Sequence, residues 1–114
     1  EGQIMTTEKG SIMARALNLA DLLNYQEGAV ISRTLIDKKV GTITVFAFAE
    51  GEGLSEHTAP FDAFVQIIDG TAEITIAGVG HTVEAGNIII LPASQPHALM
   101  ALTQFKMLLV MIRA

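Results

Sequence analysis

Short runs of β-branched and aromatic residues, separated by turn residues, fill most of this 114-residue chain. If residues 42–49 form a strand, successive side chains point to opposite faces. Thr44, Phe46 and Phe48 then share one face, and the residues between them share the other. Turn residues such as Asp69 and Gly70 interrupt the runs at short intervals. The strands that this pattern predicts are residues 31–36, 42–49, 64–68, 72–76, 87–91, 98–102 and 105–112. Many short strands at regular spacing favour an all-β sandwich or barrel.

One segment ahead of the strands has a helical pattern. Asn18 is a suitable N-cap for a short helix in which Leu19, Leu22 and Leu23 share one face, and Gly28 ends the segment. We expect this N-terminal helix to plug or flank the barrel. The sequence contains no repeat, low-complexity segment or linker, so we expect an N-terminal tail at residues 1–10 and a single domain at residues 11–114.

The composition argues against several classes of function. The formal charge of −5, from 12 acidic and 7 basic residues, provides no basic surface for nucleic acid. The absence of cysteine excludes disulfides, a thiolate nucleophile and a cysteine-rich zinc site. No apolar run approaches the roughly 18 residues of a membrane span. Residues 1–10 also lack the basic segment followed by an apolar segment that is typical of a signal peptide. We therefore expect a cytoplasmic protein that binds neither nucleic acid nor membrane.

Two stretches of the chain carry histidine among regularly spaced glycine and proline. In the first, five residues separate Gly51 from His57, and Gly70 follows; in the second, the spaced residues are Gly86, Pro92 and His97. Both spacings resemble the paired motifs of the cupin superfamily, and fifteen residues lie between them as in its compact members. The resemblance implies a cupin-type double-stranded β-helix, a jelly-roll barrel related to the RmlC-like proteins. Its pocket commonly holds a metal ion.

Two ligand positions of these motifs are vacant in this chain, and a further motif position has changed. The second histidine and the glutamate of the first motif are replaced by Ala59 and Ala63, and the asparagine of the second motif is replaced by Ala101. A methyl group donates no electron pair, so only His57 and His97 remain as metal ligands. With these two ligands, the resemblance still allows weak binding of zinc, nickel, iron, manganese or copper.

Other possible metal ligands have weaker support from the sequence. Asp62 stands one position from the vacant glutamate, where a continuous strand would point it to the opposite face. His81 follows a glycine-rich turn and is expected at the surface. The methionines at 100, 107 and 111 are expected to fill the core.

The resemblance places a pocket around six residues: His57, Ala59, Phe61, Ala63, Ile67 and His97. The first hypothesis is that this pocket binds a small molecule, with the two histidines as its polar contacts. A metal-dependent, dioxygenase-like enzyme with a reduced two-histidine site is the alternative. A metal-free isomerase or epimerase with a histidine base, oriented by Asp62, is the second alternative.

The last predicted strand, residues 105–112, is apolar on both of its alternating faces except at Lys106. Its outer face must therefore be covered, either by the leading helix or by a second subunit. Because cupins commonly pair through sheet faces, we expect a homodimer.

Overall fold

In a computed structural model, which describes residues 3–6 and 12–113, two β-sheets face each other. The first five strands are β1 Gln3–Thr6, β2 Ala29–Lys38, β3 Gly41–Phe48, β4 Gly53–His57 and β5 Ala63–Asp69. The remaining five are β6 Thr71–Ile76, β7 Val79–Glu84, β8 Ile88–Leu91, β9 His97–Ala101 and β10 Phe105–Ile112. One sheet has the order β1-β2-β3-β10-β5-β8 and the other the order β4-β9-β6-β7. This two-sheet arrangement confirms the all-β, jelly-roll fold that the sequence predicts.

Three strands lie where the sequence analysis predicted none. Strand β1 pairs in parallel with β2, within the segment taken as the N-terminal tail. Strands β4 and β7 are mostly polar and exposed, so neither has the alternation of a half-buried strand. Pairing with β9 and β6, rather than local sequence preference, makes these two segments extended.

The predicted N-terminal helix is only a 3₁₀ turn, Leu19–Leu22. Asn18 is its N-cap, and its side-chain oxygen accepts a hydrogen bond from Ala20 N at 3.1 Å. The chain becomes extended again at Leu23, because a single turn does not offset the cost of nucleating an α-helix. Within the described part of the chain, no helix is both long and apolar enough to cross a membrane.

The main core lies between the two sheets. Phe48 of β3 and Phe105 of β10 stack at its centre, with ring centroids 4.4 Å apart and planes 8° from parallel. The buried residues of this core are Val30, Phe48, Ala63, Val65, Ile67, Ala72, Ile74, Val83, Leu91, Leu99, Ala101, Phe105 and Met107. At the β5–β6 turn, Gly70 has φ +78°, and a Cβ there would collide with the carbonyl oxygen of Gln104, so only glycine fits.

A second apolar cluster lies on the outer face of the six-stranded sheet. Residues 19–25, which we call the strap, cross this face and bury Leu23 against Ile31, Val45 and Ala47. Leu108, on the outer face of β10, packs against the same cluster. The strap therefore covers the part of the outer face of β10 at Leu108. Of the two covers expected for this face, the leading segment and a second subunit, the leading segment provides this part.

Polar contacts hold the strap in place. Lys106 Nζ donates a hydrogen bond to Ala20 O at 2.6 Å and lies 4.9 Å from the centre of the Tyr25 ring. Arg33 donates to Leu22 O at 3.1 Å. The Tyr25 hydroxyl donates to Asp69 on β5. Burial raises the pKa of Tyr25, and its hydrogen bond to Asp69 and the negative charge there raise it further.

Candidate functional site

The two motif histidines meet where β4 ends and β9 begins. His57 and His97 are direct partners in this antiparallel pair. The register shifts between Leu54 and His57, because three steps along β4 match two steps along β9. Residues three apart on a regular strand face opposite sides, so this bulge is what allows both Leu54 and His57 to face the interior.

The imidazole rings of the pair are in contact. Their Nε2 atoms are 3.1 Å apart, and the ring centroids are 4.3 Å apart with an edge-to-face angle of 68°. His97 is buried, with 6% of its surface exposed, whereas His57 is exposed to solvent. The pair therefore joins the interior of the barrel to its surface.

Backbone carbonyls orient both rings. His57 Nδ1 lies 2.8 Å from Ser55 O, and His97 Nδ1 lies 3.3 Å from Gln95 O. A carbonyl oxygen only accepts hydrogen bonds, so each of these contacts requires a proton on Nδ1. In a neutral imidazole this leaves Nε2 as an acceptor. The two Nε2 atoms, 3.1 Å apart, then need a proton between them.

Either ring can supply that proton by carrying it on Nε2 instead of Nδ1, at the cost of its bond to a backbone carbonyl. For His97 the bond lost is the longer one, to Gln95 O. A hydroxyl group from a ligand would supply the proton without that loss. The pair is therefore suited to a partner that donates a hydrogen bond.

Burial lowers the pKa of His97, and the nearby charge of His57 lowers it further. The hydrogen bond to Gln95 acts in the opposite direction. Because the lowering causes dominate, the His97 ring is neutral at neutral pH. His97, the buried member of the pair, therefore has no positive charge with which to attract an anion.

Behind the histidines lies a cavity of about 140 Å³ between the sheets. Its walls are apolar apart from the two imidazoles, and no lysine, arginine or carboxylate contributes to them. The lining residues are Phe46, Leu54, His57, Ala59, Ala63, Leu91, His97, Leu99, Met107, Leu109 and Met111.

Four of the six residues predicted for the pocket line this cavity: His57, Ala59, Ala63 and His97. Phe61 is half-buried in the segment between β4 and β5 and is not part of the lining. Ile67 is fully buried in the main core and is not part of the lining. No continuous strand runs through residues 57–63, since β4 ends at His57 in one sheet and β5 begins at Ala63 in the other. Ala59 lies in the crossing between them and still reaches the cavity.

Sequence reasoning missed most of the apolar wall. Phe46 and Leu109 have the inward parity of their strands, which is the signal that could have identified them. Met107 and Met111 line the cavity as well, whereas Met100 is 46% exposed and does not fill the core. Leu54 could not have been found, because the bulge decides which way it faces.

The donors in this region do not fit the metal site that the resemblance implies. Asp62 Oδ1 accepts a hydrogen bond from Ala93 N at 2.8 Å, and the residue is exposed. His81 is exposed on β7. Among residues 12–113, no group of three or more histidine, cysteine or carboxylate side chains is placed to share an ion. Two imidazoles are one protein ligand short of a catalytic zinc site.

A family model described as a cupin domain matches residues 44–113. Among solved structures, a conserved protein of unknown function from Streptococcus pyogenes is 39% identical with a TM-score of 0.85, and the match covers 89% of each chain. A cupin superfamily protein from Desulfitobacterium hafniense is 30% identical with a TM-score of 0.86, over 93% of this chain and 97% of that one.

The fold is also similar to that of a salicylate 1,2-dioxygenase from Pseudaminobacter salicylatoxidans, with 14% identity and a TM-score of 0.68. That match covers 73% of this chain but only 26% of the dioxygenase. At this identity the likeness concerns the fold alone. No curated protein matches the chain.

Proposed function

The chain belongs to the cupin superfamily, and we propose that this member binds a neutral, single-ring-sized molecule in its barrel cavity through a hydroxyl group directed at His57 and His97. The observation that carries the proposal is the apolar cavity in which two imidazoles are the only polar lining groups. Apolar sites with a few convergent polar groups are the usual form of small-molecule sites.

The cavity volume supports a small ligand. Drug-sized ligands occupy pockets of roughly 300–1,000 Å³, whereas this cavity measures about 140 Å³. Apolar cavities of roughly 150 Å³ accommodate a benzene molecule. The ligand body is thus about one six-membered ring.

The lining supports a neutral ligand with a hydrogen-bond donor. A carboxylate taken into this cavity would lose its hydration without gaining a lysine or arginine partner, which is costly. A hydroxyl group in the cavity that donates to the facing Nε2 atoms would leave both Nδ1 atoms bonded to Ser55 O and Gln95 O. The alanines that replace the family's ligands contribute methyl groups to the wall that receives the ring.

A set of three ring compounds tests the proposal: phenol, toluene and benzoate. Phenol is expected to bind in isothermal titration calorimetry and to raise the melting temperature. Toluene, which lacks the donor, is expected to bind at least tenfold more weakly, and benzoate weaker still. Equal binding of phenol and toluene would contradict the role of the histidines, and absence of binding by both would contradict the proposed function.

A matched pair of variants locates the site. Ala63→Leu fills the cavity and is expected to abolish phenol binding. Ala98→Leu adds the same volume on β9 outside the cavity lining, and is expected to leave phenol binding unchanged. Unchanged phenol affinity in folded Ala63→Leu protein would show that the compound binds elsewhere.

The two reaction hypotheses receive less support from the site. A resident metal would need a third protein donor that the described residues do not provide. A histidine base oriented by Asp62 would need that carboxylate at the imidazole, but Asp62 bonds Ala93 N instead. A binding protein is therefore the better supported conclusion.

A further inference from the structure

A second cavity lies on the outer face of the four-stranded sheet, on the opposite side of that sheet from the barrel cavity. It measures about 260 Å³, and we call it the outer pocket. Ala98 and Met100 of β9 point to this face, because they alternate with residues that are buried toward the interior. The sheet is a single layer, so Leu54 and Leu99 line both cavities. The lining residues of the outer pocket are Gly53, Leu54, Ser55, Glu73, Thr75, Ala98, Leu99 and Met100.

Small side chains on three neighbouring strands form the floor of the outer pocket. Ala98 of β9 is the direct partner of Thr75 on β6, and Thr75 is in turn the direct partner of Gly80 on β7. Met100 and Glu73 are direct partners in the adjacent row of the sheet, two residues along each strand. Their larger side chains stand beside the small ones, so the pocket has a wall made of a thioether and a carboxylate.

The carboxylate of Glu73 leans toward the floor of the outer pocket. Gly80 leaves room for it, because a Cβ at this position would lie only 2.7 Å from Glu73 Oε2. Glu73 is the only charged residue in the lining. In the part of the chain that the structure describes, neither its carboxylate nor the Thr75 hydroxyl bonds another residue. Both groups are therefore available to accept hydrogen bonds from a ligand.

The charge around the outer pocket is of one sign. Residues 40–105 contain no lysine or arginine, and all four strands of this sheet lie within that stretch. Arg33, Lys38 and Lys106 lie on strands of the other sheet. A surface with carboxylates and no fixed cations attracts positively charged ligands. The acidic residues of the stretch are Glu50, Glu52, Glu56, Asp62, Asp69, Glu73 and Glu84.

We propose that the outer pocket binds a short aliphatic amine in its ammonium form. The ammonium group donates hydrogen bonds to the Glu73 carboxylate and to the Thr75 hydroxyl oxygen, and the alkyl chain packs against Met100 and Ala98. A divalent metal ion fits less well, because calcium takes six to eight oxygen ligands and the lining offers a single carboxylate. An anion would meet Glu73 with no cation to offset the repulsion.

Three four-carbon probes followed by amide NMR test the proposal. n-Butylamine, which is protonated at neutral pH, is expected to shift the signals of Thr75 and Ala98 to saturation. n-Butanol has the same chain without the charge and is expected to bind about fivefold more weakly, and butyrate is expected to cause no shift. Equal affinity for n-butylamine and n-butanol would overturn the proposal. So would n-butylamine shifts at Ala59 and Ala63 of the barrel cavity instead.

A matched pair of charge variants separates the pocket from the general negative charge. Glu73→Gln keeps the shape of the side chain and is expected to weaken n-butylamine binding about fivefold. Glu84→Gln removes the same charge from the neighbouring strand β7, where Glu84 is exposed and outside the lining. It is expected to change the affinity less than about twofold, because separated exposed charges are screened. Equal losses in the two variants would show a diffuse electrostatic effect and overturn the site.

A second pair of variants distinguishes this site from the proposed phenol site. Ala98→Leu fills the outer pocket and is expected to abolish n-butylamine binding, whereas Ala63→Leu fills the barrel cavity and is expected to leave it unchanged. For phenol the effects of the two substitutions are reversed, so each proposal can fail without the other. Unchanged n-butylamine affinity in Ala98→Leu would contradict the outer pocket as its site.

One further probe distinguishes a free amine from a lysine side chain of another protein. N-acetyl-lysine methylamide carries the same ammonium group on a peptide unit. It is expected to bind no more tightly than n-butylamine, because the lining holds the ammonium group and its chain and provides no contacts for the peptide unit. Tighter binding of the lysine compound would overturn the free amine as the ligand.

Discussion

At the scale of single residues, two imidazoles and two methyl groups define the site. His57 and His97 bring their Nε2 atoms to 3.1 Å, and Ala59 and Ala63 contribute apolar wall beside them. In the cupin pattern the alanine positions carry metal ligands. The chemistry of this pocket therefore depends on the two imidazoles alone, without the further metal ligands of the cupin pattern.

The lowered pKa of His97 predicts how stability depends on pH. Since the folded-state pKa lies below the ordinary value of 6.5, the unfolded chain binds more protons at this residue as the pH falls through that region. The free energy of unfolding is therefore expected to decrease between pH 7 and pH 5. Urea denaturation of wild type and His97→Asn at both pH values measures it, and the variant should lose less stability on acidification.

His81→Asn is the control for this experiment. His81 is exposed on β7, so its removal is expected to leave the pH dependence as in the wild type. The prediction fails if His97→Asn and wild type show the same decrease.

Restoring the vacant donors predicts the recovery of a metal site. The double substitution Ala59→His with Ala63→Glu is expected to raise zinc or nickel affinity by orders of magnitude, because both positions line the cavity beside the histidine pair. Without metal the new carboxylate is buried in an apolar wall, so a lower melting temperature that metal restores is also expected. Calorimetry and thermal melts with and without zinc check both effects.

His57→Ala in that background provides the control and should remove much of the gained affinity. If the double variant binds zinc no better than the wild type, the vacant positions do not correspond to those of the cupin metal site.

At the scale of elements, the strap is anchored by one buried leucine and a set of polar contacts. Leu23 is 4% exposed, whereas Leu17, just ahead of the 3₁₀ turn, is 41% exposed. Leu23→Ala is expected to lower the free energy of unfolding by about 2–4 kcal/mol. Leu17→Ala is expected to change it by less than about 0.5 kcal/mol. Equal effects in urea denaturation would show that Leu23 does not anchor the strap.

The bulge in β4 is a second decisive element. It turns His57 to the same side as Leu54, so that an exposed strand end delivers an imidazole to the cavity. The crossing from β4 to β5 then brings Ala59, which lies in the crossing, and Ala63, the first residue of β5, to that cavity. The first motif is thus a corner of the barrel.

At the scale of the whole molecule, pairing between distant segments dominates. Phe105 of β10 pairs with Phe48 of β3, 57 positions earlier, and His97 of β9 pairs with His57 of β4. Folds built from such contacts close long loops before they gain stability. Refolding is therefore expected on a timescale of milliseconds to seconds, followed in a stopped-flow instrument by the fluorescence of the single Tyr25. Refolding within microseconds would contradict this expectation.

The sequence by itself determined the fold class and the position of the histidines in the chain. Alternation along strands such as residues 42–49 and 105–112, and turns at Gly70 and Gly86, are local signals that each segment carries alone. The spacing around His57 and His97 was sufficient to identify the superfamily. It also showed that two methyl groups replace two ligands.

The tertiary structure decided everything that depends on register and on packing between distant segments. The bulge before His57, the crossing that carries Ala59, the size of the cavity and the exclusion of Phe61 and Ile67 all follow from how β4, β5, β9 and β10 are aligned. Strands β4 and β7 exist because neighbouring strands pair with them. The predicted helix is a single 3₁₀ turn within the strap, because one turn does not offset the cost of nucleating an α-helix. Local preferences amount to about 1 kcal/mol or less per residue, so these long-range contacts outweigh them.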